Sequence, residues 1–224
     1  MIVSVLVILQ FIVPQILQGQ DPLLVSIAGS LAIMLLTIYL AHGISKRTTV
    51  ALGATAIALL ITGVLSYFFV NITDLTGVGS EDAYLLQFGP ASINLKGLLL
   101  GGIIIGALGV LDDITTSQSA AVFEIAKANK KLEFMDLIMR GYVVGKEHIA
   151  SLVNTLVLAY AGASLSLFII FVLNPSNQPY WVILNSQIIV EEVIRTLAGS
   201  IGLVMAVPIA TILAAWAATK WREE

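Results

Sequence analysis

"GALGVLDDITTSQSA" (residues 106–120) sets two adjacent aspartates directly behind a glycine-studded apolar run. What that pair means depends on how deep it sits. From Leu98 to Leu111 no side chain is polar, which as a helix covers about 21 Å at 1.5 Å per residue. A bilayer's hydrocarbon core is about 30 Å thick. A span here must therefore begin earlier, absorbing Asn94 and Lys96, or run on past the pair towards Phe123. A carboxylate facing lipid at mid-bilayer costs about 2.5–3.5 kcal/mol. Both aspartates are therefore expected to face protein, water or an ion.

Composition sets the class. Of 224 residues, 58% are hydrophobic and 11% charged, against about 25% charged in soluble domains. The mean hydropathy is +0.98. Such a chain cannot hide its apolar surface in one aqueous core, so it reads as a polytopic membrane protein. A net charge of −3 and the lack of a basic run argue against nucleic acid as a partner. Without cysteine there are no disulfides and no thiolate metal sites. The N-terminal "MIVSVLVILQFIVPQILQGQ" lacks a basic n-region and a small-residue cleavage site, and reads as a retained span.

Windows of about 20 apolar residues place spans at 1–17, 24–42, 49–70, 95–118, 149–173 and 199–219. Nine of the eleven basic residues then fall on one side: Lys46, Arg47, Lys127, Lys130, Lys131, Arg140, Lys146, Lys220 and Arg222. That side is expected to be cytoplasmic, with both termini on it, in the cell membrane. Lys96 and Arg195 are left over, and Asp21, Asp74, Glu81 and Asp82 fall outside. The fold class is thus an all-α, six-span transmembrane helix bundle. A cytoplasmic helix is expected at 119–145, broken at Gly141 and Gly145. An interfacial or re-entrant helix is expected at 181–198, where Glu191 and Arg195 are spaced to pair on one face.

Gly102, Gly106, Gly109 and Asp113 are spaced four, three and four apart and share a helix face. Glycines let another backbone approach closely in a membrane, so Asp113 is expected to point into a tight helix interface. Asp112 lies about 100° round the helix, beside Thr115, Thr116 and Ser119, and Thr115, Thr116, Ser117 and Gln118 are expected to tune the pair. Adjacent carboxylates resist double ionisation, so the pair can hold a proton. Asn154 and Thr155 of the fifth span, near its stripe of Ser151, Gly162 and Ser166, are candidates to face it. Gly162, Gly199 and Gly202 are read as helix-packing positions, and Pro208 as a kink.

Three readings of the pair stay open: a solvated acidic helix end, a proton or cation relay in a transporter, and a metal-binding carboxylate pair. For the third, "GVLDD" (109–113) resembles the Mg²⁺-binding aspartates of polyprenyl-phosphate sugar-phosphate transferases, which would make the chain an enzyme of lipid-linked phosphates. No second aspartate motif is present for that chemistry. No catalytic residue, metal ligand or cofactor is assigned.

Three stretches resemble signature segments of the YibE/F-like membrane proteins: "GALGVLDDITTSQSAAVFEI" (106–125), "GKEHIASLVNTLVLAYAGASL" (145–165) and "EEVIRTLAGSIGLVMAVPIATILAA" (191–215). The resemblance implies a six-span bacterial membrane module and carries no agreed reaction. Longer members add an anchoring helix and an extracytoplasmic domain, which this chain is expected to lack. It therefore implies a homo-oligomer, or a hetero-oligomer with a YibE/F-like sister subunit. A more distant similarity is to resistance–nodulation–division transporters, which place a "GxxVDD" stretch in the fourth of six spans and relay protons there. That implies a relay role for Asp112 and Asp113. The chain departs from that pattern in offering no lysine at the matching depth of a partner helix.

Overall fold

The computed structural model describes residues 2–89, 92–175 and 177–221. Arg222, counted above among the basic residues, lies outside them, as do Pro90 and Ala91 of the long polar loop and Ser176. Among the described residues there are helices and no strands. In chain order they are α1 (Ile2–Leu17), α2 (Pro22–His42), α3 (Lys46–Ile72), α4 (Glu81–Leu86), α5 (Leu95–Ala128), α6 (Phe134–Ala163), α7 (Leu165–Leu173), α8 (Tyr180–Leu184) and α9 (Gln187–Lys220). α1 is π-helical between Ile8 and Ile12.

The helix ends follow local chemistry. The Asp21 carboxylate accepts from the Leu23 and Leu24 N–H groups, with Pro22 at the first helical position. Ser45 caps α3 through Thr48 N–H, and Asn94 caps α5 through Gly97 N–H. Gly43, at φ 71°, ends α2 in a conformation that favours glycine.

α2, α3, α5 and α9 are long and apolar enough to cross a membrane, and α6 with α7 passes as a fifth span if its 62° bend is bridged. α1 is a shorter apolar helix packed on α2. α3, α5 and α9 form the centre, with α2 on α5 and α6 on α9. The central seams are closed by small residues and hydroxyls. A Cβ at Gly202 would land on the Thr62 hydroxyl, and one at Gly101 on the Ser26 hydroxyl. Thr62, Ser66 and Thr211 return their own hydroxyls to carbonyls four residues earlier. The Thr55 and Thr115 hydroxyls bond each other across α3 and α5. In the Thr55→Val/Thr115→Val double-mutant cycle, the coupling is expected near 0.6 kcal/mol, the usual worth of such bonds. It stays small because Thr55 keeps its bond to the Ala51 carbonyl.

Three expected boundaries move. The long helix does not stop at Gly141 and Gly145; the break falls at Asn129–Glu133, and both glycines lie inside α6. There Gly145 sits flush against Val207 and Gln118, and Gly141 against Val122 and Thr211. Tertiary contact holds helical what isolated propensity disfavours. The segment 181–198 is not a separate helix. From Gln187 it is already α9, because Glu191, Ile194 and Ala198 continue the same buried stripe. The fifth span is broken at Ser164, beyond Leu156, the last buried residue of α6 among the described residues. α5 takes both options open to it, starting at Leu95 and running on to Ala128. α9 continues through Pro208.

Candidate functional site

Eighteen residues separate Leu95 from Asp113, about 27 Å along the axis. The aspartates therefore stand far from the Leu95 end of α5, towards the end of the bundle where Lys46 and Arg47 open α3. The two carboxylates part ways. Asp112 is half-buried; one oxygen accepts from the Thr37 hydroxyl of α2 at 3.4 Å, and the other is buried with no partner among the described residues. Asp113 is exposed and borders a cavity of about 500 Å³.

That cavity draws on four helices. His42 ends α2, Arg47 and Thr48 open α3, Asp113, Thr116 and Ser117 lie on α5, and His148 and Ser151 on α6. The chain has two histidines, and both are here. The Arg47 guanidinium also reaches Glu124 at 4.0 Å. The His148 Nδ1 atom is buried with no partner among the described residues. Carboxylate, imidazole, guanidinium and hydroxyl groups thus share one pocket that can hold water or a small ion.

The sequence-predicted residues divide. Thr116 and Ser117 line the cavity, each returning its hydroxyl to a carbonyl of the aspartate pair, Thr116 to Asp112 at 2.8 Å and Ser117 to Asp113 at 2.7 Å. Thr115 faces α3 instead. Gln118 is wholly buried and ties three helices together, donating to the Gly141 carbonyl and to the Thr211 hydroxyl, both at 2.8 Å. Asn154 and Thr155 are exposed and outside the cavity lining; Thr155 bonds back to Ser151.

The expected tight interface at Gly102, Gly106 and Gly109 is not present. All three are exposed, and a Cβ on Gly109 would meet nothing within 4 Å. Gly102 and Gly106 look across at Arg195 Nη1 and the Tyr160 hydroxyl, at 3.9 and 3.8 Å from the Cβ position. The spacing marked a side-chain-free face, and no helix fills it. Gly202 does pack closely, Gly199 sits buried near Leu156, and Gly162 stands in open space. Arg195 pairs with Glu192 at 3.4 Å, not with Glu191. Glu191 is buried and accepts from Gly79 N–H at 2.9 Å, because the loop after α3 folds over the start of α9. Spacings of three and four share one helix face, so the choice was decided by that loop.

Thr37, His42 and Arg47 were missed as site residues. The available signal was the rarity of histidine and its place at the same end of two spans. Among the described residues, no three His, Asp or Glu side chains stand close enough to hold a metal ion.

Apolar helices of this length and number define an integral membrane protein with several spans. The sequence profile described as YibE/F-like protein matches residues 1–220, and the chain belongs to that family. No curated protein and no solved structure matches it.

Proposed function

We propose that the chain is a subunit of a proton- or cation-coupled transporter in the cell membrane, with six spans, both termini cytoplasmic, and Asp112 and Asp113 as its relay. On this reading α1 and the bent pair α6–α7 complete the six. One observation supports the reading: the cavity at this end of the bundle is bordered by Asp113, both histidines and Arg47. Ionisable groups inside a membrane are functional by default. Asp113 exchanges protons with cavity water, flanked by imidazoles that can both donate and accept. Asp112, held by Thr37, is the inner station.

The test is proton flux into proteoliposomes, read with an entrapped pH-sensitive dye. Asp113→Asn keeps the shape and removes the titratable group, and flux should fall to that of empty vesicles at an unchanged thermal midpoint. Undiminished flux would end the relay reading, and a sodium gradient run in parallel separates proton from cation.

The open glycine face at Gly102, Gly106 and Gly109 favours a second reading, a membrane scaffold that docks a helix of another copy or of a YibE/F-like sister subunit. The metal-dependent enzyme of lipid-linked phosphates gains no support from the carboxylate geometry.

A further inference from the structure

The cavity bordered by Asp113 suits one kind of cation more than others. Two of its hydroxyls are set as acceptors. Thr116 spends its proton on the Asp112 carbonyl and Ser117 on the Asp113 carbonyl, at 2.8 and 2.7 Å, so what each has left to offer is lone pairs. Asp113 is the one carboxylate in the lining, is exposed, and makes no ion pair among the described residues. The guanidinium in the lining, Arg47, has its counter-charge outside the cavity, in Glu124 at 4.0 Å. A neutral imidazole at His42 or His148 carries one acceptor nitrogen more.

A metal ion would need a denser set of ligands, and among the described residues no three His, Asp or Glu side chains stand close enough. An ammonium needs less. Each of its N–H groups takes one acceptor, and a carboxylate with neighbouring hydroxyls supplies them. Size points the same way. At about 500 Å³ the cavity has the dimensions of a small-molecule site, about 300–1,000 Å³. Ala51, Ala120 and Leu152 give it an apolar side for carbon. A bare ion has no use for either.

We infer that this cavity binds a small organic amine as its ammonium ion, with N–H groups on the Asp113 carboxylate and the Thr116 and Ser117 hydroxyls. An alkylammonium stays charged at neutral pH, as lysine does, so it and a proton exclude each other on one carboxylate. The other titratable and charged groups at the cavity are His42 from α2, Arg47 from α3 and His148 from α6; Asp112, beside Asp113 on α5, turns to Thr37. Protonated imidazoles repel the same ligand, so acid acts in one direction only. As cargo exchanged against protons, the amine rests on the relay reading above; the binding site does not.

The test is isothermal calorimetry of the full chain in phosphatidylcholine nanodiscs with n-butylammonium and no pH gradient. Binding should saturate and weaken as the pH falls, by up to about tenfold per unit. It should exceed that of tetramethylammonium, which has the charge without an N–H. Asp113→Asn should abolish it at an unchanged thermal midpoint, because the exposed carboxylate makes no bond to the described residues. Thr116→Val keeps the shape, removes the acceptor and should weaken binding about fivefold. Arg47→Gln sets the sign: an ammonium should bind as tightly or tighter, whereas an anion would bind less well. Phosphatidylethanolamine that displaces butylammonium makes a lipid head group the source of the amine, and no displacement makes it a soluble one. Heat that never saturates, equal binding of tetramethylammonium, preference for butyrate, weakening by Arg47→Gln, or binding that survives Asp113→Asn overturns the inference. Absent binding beside intact wild-type proton flux rejects this inference alone, and binding without flux rejects the relay alone.

Discussion

Gly202→Leu is expected to lower the thermal midpoint of the purified protein further than any other single glycine substitution on α9. At this position α9 and α3 approach so closely that a first carbon would coincide with the Thr62 hydroxyl, with the Thr62 Cβ and Cγ2 also at 3.2 and 3.4 Å. Overpacking a filled seam costs about 1–3 kcal/mol, and here the neighbour is a wholly buried side chain bonded to its own backbone. Relief requires the helices to separate, which also uncovers Ala58, Ala206 and Ala210. Gly162→Leu supplies the control, since nothing lies within 4 Å of a Cβ there. Thr62→Ala should restore part of the loss. Equal midpoints for the two leucine variants would mean that the α3–α9 seam is not as close as described.

The second large effect is expected at Gln118. Gln118→Glu should destabilise by about 3–5 kcal/mol at neutral pH, the usual outcome of burying an unpaired charge. The side chain is wholly buried beside Gly141, Gly145 and Thr211, with no cation among the contacts it makes to the described residues. Lowering the pH should return part of the stability, because a protonated carboxyl is neutral and regains one donor. Gln118→Met should cost far less. It gives up two hydrogen bonds, yet it also removes the side-chain oxygen, which has no partner among the described residues. Denaturation midpoints of the three proteins across pH decide this, and a tolerated glutamate would show that water reaches the tie.

What was legible in advance was whatever a single helix carries in its own residues. Hydrophobic runs located four spans, and a fifth if the bent pair is bridged. The shortfall between Leu98 and Leu111 called for extending α5 at one end or the other, and the helix extends at both. Glycine spacing was a weaker guide, because it defines a face and says nothing of its occupant. Gly102, Gly106 and Gly109 looked like packing positions, yet Gly109 fronts open space and the other two meet only the tips of Arg195 and Tyr160, whereas Gly101, Gly141 and Gly145 take the close contacts. The cavity was least legible. His42 and His148 stand more than a hundred residues apart, and only the packing of α2, α3, α5 and α6 brings them to Asp113.

α9 has a mechanical consequence. At 34 residues without a break it is a rod of about 51 Å. One end is pinned to the loop after α3 through Glu191 and Gly79, and the other is latched by Thr211 to Gln118. A force that tilts its Gln187 end must therefore appear as torque on the latch near the aspartates. Two distant points share one lever.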